Sequence, residues 1–125
     1  MSHNDATKIV DHYFDAWNTD DDKERARALE LAWSEDGSYV DPTASARGRE
    51  AIREMMGAVR QKYPGIIISR TSAVDEHNGL LRFTWDIKGT DGEVMLAGVD
   101  FGEMSTDGLS RIIGFHGDPP ALEAR

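Results

Sequence analysis

The chain of 125 residues contains no cysteine. Disulfide bonds, thiolate metal ligands and cysteine nucleophiles are therefore excluded from any hypothesis about its stability or chemistry. Basic residues are also scarce, with 14 Lys and Arg against 23 Asp and Glu, and the net charge is −9. Because nucleic acids and anionic membranes attract clustered positive charge, this balance argues against both as partners. We expect a small molecule or a second copy of the chain instead.

Long apolar runs are missing as well. No early run resembles a signal peptide, and none reaches the roughly 20 residues that cross a bilayer, so the sequence predicts a cytoplasmic protein. The length suits one domain with one core, to which 3 Trp, 4 Phe, 3 Tyr and 5 Met can contribute large side chains. We predict a single domain over residues 1–125, with a loose tail at 118–125.

The first half of the chain shows apolar residues at helical spacing. A first helix carries an aromatic stripe that includes Tyr13 and Trp17, which we expect to face the core. A second helix is predicted to include Trp33 and to end at residues 34–37. A third helix is predicted over residues 48–63, where Pro-Gly follows and stops it.

The second half of the chain alternates with a period of two, which is typical of strands. Four strands are predicted, at residues 66–76, 81–87, 93–104 and 109–116, and a turn signal separates each from the next. Helices that come first and strands that come later indicate an α+β fold. We expect a curved antiparallel sheet wrapped around three N-terminal helices.

Asp41 ends a short apolar strand and is followed by Pro42. Proline lacks an N–H group and biases the preceding residue toward extended geometry, which places the acid beside a loop. Two interpretations remain open at this point. Asp41 either caps the turn that follows, as Asp often does, or serves as a working acid at a strand end.

Asp100 lies in the middle of an apolar strand. A buried carboxylate has to be paired, hydrogen-bonded or protonated, because an isolated charge in an apolar site is costly. One interpretation is an ion pair with Arg82 or Arg111 on a neighbouring strand. The other is an acid whose pKa is raised by its apolar surroundings and which points into a cavity, where the hydroxyl of Tyr13 could join it.

The order of the elements resembles that of the nuclear transport factor 2-like superfamily over almost the whole chain. The segments that carry the resemblance are residues 33–37 (WSEDG), 39–42 (YVDP), Gly48 with 51–54 (AIRE), and 98–101 (GVDF). The resemblance implies a cone-shaped, cystatin-like α+β domain with a pocket between the curved sheet and the helices. It also implies a homodimer that forms through the open face of the sheet.

Three positions resemble those of the ketosteroid isomerases within that superfamily. Tyr13 stands four residues before Trp17 and Asn18, Asp41 precedes a proline, and Asp100 follows a β-branched residue on a late strand. The resemblance implies that Asp41 is a base and that Tyr13 and Asp100 donate hydrogen bonds to a developing oxyanion. The expected activity is proton transfer on a small hydrophobic substrate without a cofactor.

Three alternatives share the scaffold. With Arg82 facing inward, Asp41, Arg82 and Asp100 would resemble the acid–arginine–acid set of limonene epoxide hydrolases. With His116 facing inward, an Asp100–His116 pair would resemble SnoaL-like polyketide cyclases. A non-catalytic ligand-binding or dimerisation domain is the third.

No two histidines have a metal-ligand spacing, so no metal is expected. The candidate substrate-binding residues are Trp17, Tyr39, Met56, Phe83, Trp85 and His116.

The strands carry more apolar residues than one face of a sheet can bury. If Phe83, Trp85 and Ile87 face the helices, a second apolar set cannot all lie on that face; it comprises Ile66, Ile68, Met95, Val99, Phe101 and Ile113. A second apolar face needs a cover, and a symmetric copy is the usual one. This pattern also predicts a homodimer.

Overall fold

The computed structural model describes residues 3–123 of the chain. It contains the three expected helices, α1 (His3–Asn18), α2 (Asp22–Ala32) and α3 (Arg49–Lys62). α2 begins after Asp21, whose carboxylate accepts the backbone N–H groups of the second and third helical residues. α3 has buried residues on one face and ends where the Pro-Gly pair follows, as its sequence pattern predicts.

Seven strands form one curved, unclosed sheet. They are β1 (Trp33–Asp41), β2 (Ala44–Arg47), β3 (Ile67–Arg70), β4 (Asp75–His77), β5 (Leu80–Lys88), β6 (Val94–Ser105) and β7 (Gly108–His116). The order is β2-β1-β7-β6-β5-β3, and β4 pairs with β5 beside β3. β1 runs parallel to β7. The α+β fold class is confirmed, but the sheet is mixed rather than wholly antiparallel.

Two local predictions differ from the structure. Trp33 belongs to β1 and not to α2, because its backbone pairs with Leu109 of β7 ahead of an irregularity in the register. Gly37 makes room for its ring, since a Cβ there would lie 2.0 Å from Cδ1 of Trp33. The strand predicted at 66–76 is divided into β3 and β4, and β2 was not predicted.

The core lies between the helices and the inner face of the sheet. Its centre is a set of packed aromatic rings in which Tyr13 lies 5.4 Å from Trp33 and 5.9 Å from Phe83, between ring centroids. Met56 of α3 is fully buried in the same core. These contacts place Phe83 and Met56 in the packing that supports α1 and the sheet.

The end of α1 is fastened to β3 by a side-chain amide. Nδ2 of Asn18 donates to the carbonyl oxygen of Ile68 over 2.8 Å, and the backbone N–H of Ile68 donates to Oδ1 of Asn18 over 2.8 Å. Arg60 of α3 adds hydrogen bonds to the carbonyl oxygens of Trp17 and Ile66. Together these bonds fix α1 and α3 against the start of β3.

The outer face of the sheet carries a patch of apolar side chains, which we call the outer patch: Val99, Phe101, Ile113 and Phe115. Phe101 and Phe115 are 41% and 55% exposed, and their rings meet edge to face at 6.1 Å. Ile66 and Ile68, by contrast, are buried. The prediction of a second apolar face therefore holds for Val99, Phe101 and Ile113, whereas Met95 of β6 lines the cavity.

The C-terminal segment has no helix or strand and is exposed over residues 118–123, as expected of a tail. Residues 124 and 125 of the predicted tail lie outside the described residues. None of the helices within 3–123 is both long and apolar enough to cross a membrane.

Candidate active site

A cavity of about 330 Å³ lies between α1, α3 and the inner face of the sheet. Its walls are mostly aromatic and aliphatic, and its polar groups come from the strands, from α1, from the turn after β1 and from the residue after α3. The lining residues that bear on its chemistry are Tyr13, Tyr39, Asp41, Trp85, Asp100 and His116. A cavity of this size, with an apolar wall and a few polar groups, is typical of a small-molecule site.

Asp100 is the most buried acid of the cavity, with 3% of its surface exposed. Tyr13 donates its hydroxyl to Oδ2 over 2.7 Å, and the indole N–H of Trp85 donates to Oδ1 over 3.0 Å. Burial raises the pKa of Asp100, these two hydrogen bonds lower it, and the charge of Asp41 raises it, so that the pKa is about 7. The carboxyl group therefore changes its charge near neutral pH.

The ion pair considered for Asp100 does not form. Arg82 lies on the other face of β5 and pairs with Asp75, with 2.8 Å between Nε and Oδ2. Arg111 is exposed. Because Arg82 faces away from the cavity, the acid–arginine–acid set of an epoxide hydrolase is not assembled either. Asp100 is held by uncharged donors instead.

Tyr13 and Tyr39 both act as hydrogen-bond donors in the cavity. Burial raises the pKa of Tyr13 well above its usual value, and the nearby charge of Asp100 adds to the effect. The pKa of Tyr39 is also raised, chiefly by burial and then by Asp100 and Asp41. Both hydroxyls thus keep their protons over the whole physiological range.

Asp41 caps the turn after β1 and also lines the cavity. The cap is thus observed, and the role of a working acid stays a prediction. Its Oδ1 accepts hydrogen bonds from the backbone N–H of Thr43 at 2.7 Å, the hydroxyl of Thr43 at 2.9 Å and the backbone N–H of Ala44 at 2.9 Å. Its Oδ2 accepts the hydroxyl of Tyr39. The side chain is only 8% exposed.

Gly114 separates the two acids. It pairs with Asp100 across β6 and β7, and the end of β1 runs along its other side. A Cβ at this position would lie 2.8 Å from Oδ1 of Asp100 and 3.3 Å from Cβ of Asp41. Gly114 therefore leaves open the space between the carboxyl group of Asp100 and the side chain of Asp41.

His116 lies beside Asp41, not beside Asp100. Its Nε2 is 3.8 Å from Oδ2 of Asp41, and its ring meets that of Trp85 edge to face at 5.7 Å. The side chain is 22% exposed. The Asp100–His116 pair considered as an alternative does not form; His116 pairs with Asp41 instead, because β7 carries it past Gly114 toward the end of β1.

The family of the chain follows from its sequence. Residues 10–113 match the SnoaL-like domain. The chain belongs to the SnoaL-like family. Among curated proteins, no significant match to it was found.

Solved structures of similar proteins share its fold. A candidate isomerase of the SnoaL-like family from Agrobacterium tumefaciens is 30% identical and has a TM-score of 0.86, with 92% of this chain and 99% of that chain covered. A candidate ketosteroid isomerase from Kribbella flavida is 24% identical, with a TM-score of 0.68 and coverage of 98% and 83%. A cystatin-like protein of unknown function from Methylobium petroleophilum is 16% identical, with a TM-score of 0.77 and coverage of 97% and 81%. The predicted superfamily and cystatin-like fold are confirmed.

The structure of this SnoaL-like protein brings most of the predicted site residues to one cavity. They are Tyr13, Asp41 and Asp100 of the predicted catalytic set, and Trp17, Tyr39, Trp85 and His116 of the predicted binding set. Met56 and Phe83 do not line it, and their assignment to substrate binding is corrected. Both are buried in the core. Strand or helix periodicity gives the face on which a side chain lies but not its depth, so the sequence did not distinguish core residues from cavity residues. The roles of the lining residues stay predictions.

Two further residues shape the site and were not predicted. Thr43 binds Asp41 through its backbone and its hydroxyl, and Gly114 gives the two acids their common space. The Asp-Pro-Thr sequence was a usable signal for Thr43, since a turn acid commonly binds the residue two positions on. Within the described part of the chain, no three His, Asp or Glu side chains are close enough to hold a metal ion.

Proposed function

We propose that this SnoaL-like protein is an enzyme that moves a proton on a small, uncharged, largely apolar substrate bearing a carbonyl group. The reaction class is isomerisation or ring closure through an enolate, without a cofactor. The observation that carries the proposal is the pair of acids, Asp41 and Asp100, on either side of Gly114 at the polar end of the cavity.

The two ends of this acid pair suit opposite tasks. Asp100 has a pKa of about 7, so near neutral pH a large share of the protein carries a proton on it that can be donated to a developing oxyanion. Tyr13 is bonded to the same carboxyl group and keeps its own proton. The other end of the polar region, beside Asp41 and across Gly114 from Asp100, is where the proton from carbon would be accepted.

The environment of the acids favours catalysis over charge neutralisation. In a binding domain that has lost its chemistry, we expect such acids to be neutralised by arginines. Here, within residues 3–123, neither Asp41 nor Asp100 forms an ion pair with an arginine. An apolar wall, a neutral donor pair and an acid of shifted pKa together support general acid–base chemistry.

One observation favours the second candidate, a non-catalytic ligand-binding domain. Both oxygens of Asp41 already accept hydrogen bonds from within the protein, as a carboxylate with a structural role would. This candidate predicts that a hydrophobic ketone binds in the cavity and is released unchanged. The two candidates thus differ in turnover and not in binding.

The test uses 1-tetralone, a bicyclic neutral ketone, in D₂O. NMR measures the exchange of its α-hydrogens, which reports proton abstraction without knowledge of the natural substrate. We expect the wild-type protein to accelerate exchange and Asp41→Asn to slow it by about 100-fold or more with unchanged binding of the ketone. The matched control is Asp107→Asn, an exposed acid in the turn between β6 and β7. A wild-type protein that binds the ketone without accelerating exchange contradicts the proposal.

A further inference from the structure

The hydrogen-bond capacity of Asp41 is nearly used up inside the protein. A carboxylate offers about four lone-pair positions on its two oxygens. Three donors meet Oδ1, two from Thr43 and one from Ala44, and the hydroxyl of Tyr39 meets Oδ2. These four hydrogen bonds hold the carboxylate in place against β1 and the turn that follows it. A substrate proton would have to compete with them for a position on the oxygen.

The remaining position on Oδ2 faces a histidine. Nε2 of His116 lies 3.8 Å from this oxygen, which is within the range of an ion pair but longer than a hydrogen bond. A side-chain movement of about 1 Å closes that gap, and such bonds often tighten only when substrate is present. Edge-to-face contact with Trp85 keeps the imidazole ring on this side of the cavity.

We propose that His116 is the base of the reaction and that Asp41 positions it. The inference rests on the proposed function and assigns the role of proton acceptor, which the resemblance to ketosteroid isomerases gives to Asp41, to its neighbour on β7. Nε2–H of His116 donates to Asp41, so the lone pair is on Nδ1. Asp41 then fixes the tautomer and balances the charge of the imidazolium ion that forms.

The proton and electron balance of the step is simple. The C–H bond beside the substrate carbonyl breaks, its proton moves to Nδ1 of His116, and its electron pair forms the enolate. The enolate oxygen accepts a hydrogen bond from the Asp100–Tyr13 pair. The imidazolium ion then returns a proton to a carbon atom of the enolate, so the protein ends the cycle unchanged and no oxidant or reductant is consumed.

The charged and titratable groups around His116 fit this role. Asp41 and Tyr39 face it from β1, Asp100 lies beyond Gly114 on β6, and Trp85 packs against its ring from β5. Tyr39 stays neutral because its pKa is raised, chiefly by burial. Among these groups, the carboxylate of Asp41, 3.8 Å from Nε2, is the partner of the imidazole in this role.

The experiment compares His116→Gln with Asp41→Asn in the exchange of 1-tetralone. We expect His116→Gln to lose about 100-fold or more of the exchange rate, since general base catalysis contributes factors of that size. In a second variant, His116→Ala, added imidazole should restore part of the rate, and it should not restore Asp41→Asn. His77→Gln is the matched control, because His77 is exposed at the end of β4.

Two results would overturn the proposal, and they differ from each other. If His116→Gln keeps the wild-type rate while Asp41→Asn is inactive, Asp41 is the base and the proposed function stands without this role for His116. If the wild-type protein binds the ketone but does not accelerate its exchange, the proposed function itself fails. Binding of the ketone by each variant, measured by the same NMR spectra, shows that the cavity is still folded.

Discussion

Nε1 of Trp85 donates a hydrogen bond to Oδ1 of Asp100 over 3.0 Å, and this bond depends on the absence of a side chain at Gly98. A Cβ at Gly98 would lie 2.4 Å from the indole ring of Trp85 and 2.2 Å from the carbonyl oxygen of Phe115. The bond from Trp85 and the bond from Tyr13 stabilise the charged form of Asp100, while burial disfavours it. The pKa of Asp100 reports the balance of these effects.

The first prediction concerns this balance. Tyr13→Phe and Trp85→Phe each remove one hydrogen bond to the carboxylate, so each should raise the pKa of Asp100 above its value of about 7. Tyr13→Phe should have the larger effect, because its bond is the shorter one. Carbon-13 NMR titration of the carboxyl group measures both. Tyr63→Phe changes an exposed tyrosine at the cavity and serves as the control. Titration midpoints that stay at the wild-type value in both variants would show that the bonds do not tune Asp100.

The second prediction links Asp100 to stability. Its pKa is about 7 in the folded protein against an ordinary 3.8, so between these values the folded state holds a proton that the unfolded chain releases. The free energy of unfolding contributed by this group therefore falls as the pH rises from about 4 to about 7. Asp100→Asn removes the effect, since an amide does not titrate. As the pH rises between these two values, the free energy of unfolding of the variant should increase relative to that of the wild type by on the order of a few kcal/mol, as measured by urea unfolding. If the difference in the free energy of unfolding between Asp100→Asn and wild type stays constant over this pH range, the pKa of Asp100 is not raised by folding.

The third prediction concerns Gly114. An alanine there places a methyl group 2.8 Å from Oδ1 of Asp100, so the carboxyl groups must move apart. We expect Gly114→Ala to lower the free energy of unfolding by about 1–3 kcal/mol, as overpacking does, and to slow the exchange of 1-tetralone. Gly57→Ala is the control within α3, where a Cβ meets only the end of Arg25 at 3.4 Å. That change should be neutral or stabilising, because alanine favours a helix. Equal exchange rates of Gly114→Ala and wild type would show that the space at Gly114 does not affect the reaction.

The fourth prediction concerns the outer patch. We propose that two copies of the chain associate through it, because Phe101 and Phe115 are large, exposed and adjacent on β6 and β7. Sedimentation equilibrium at micromolar concentration should show a dimer, and Phe101→Glu should shift it to the monomer. Leu31→Glu, which changes an exposed leucine of α2, should leave the dimer intact. A wild-type monomer under these conditions contradicts the proposal.

The fold could be predicted where local pattern decides structure. Residues close together in the chain predict α3 through their apolar spacing. They also predict the turn at 77–79, in which Asn78 and Gly79 adopt positive φ angles. The parallel pairing of β1 with β7 joins segments far apart in the chain, and no local signal reports it. Trp33 was assigned to the wrong element for a related reason: its spacing suits a helix, but its partner is a strand near the C-terminus.

The site was predictable in its residues and less so in its pairings. An acid within an apolar strand has to find donors, and this indicated Asp100 and Tyr13 from sequence alone. The donor from Trp85 depends on the room left by Gly98, and the pairing of His116 with Asp41 depends on the register of β7 against β1. Such distances follow from tertiary packing, which one sequence does not record.

The amide of Asn18 affects how copies of this chain can meet. By binding both the N–H and the carbonyl oxygen of Ile68, it satisfies the groups that a free strand edge presents to other chains. β3 is the last strand of the sheet at that end, and a side chain there takes the place of a further strand. The sheet is therefore a poor template for edge-to-edge growth at β3. The association proposed for the outer patch uses a broad face instead, which closes after two copies where an open edge would propagate into a fibre.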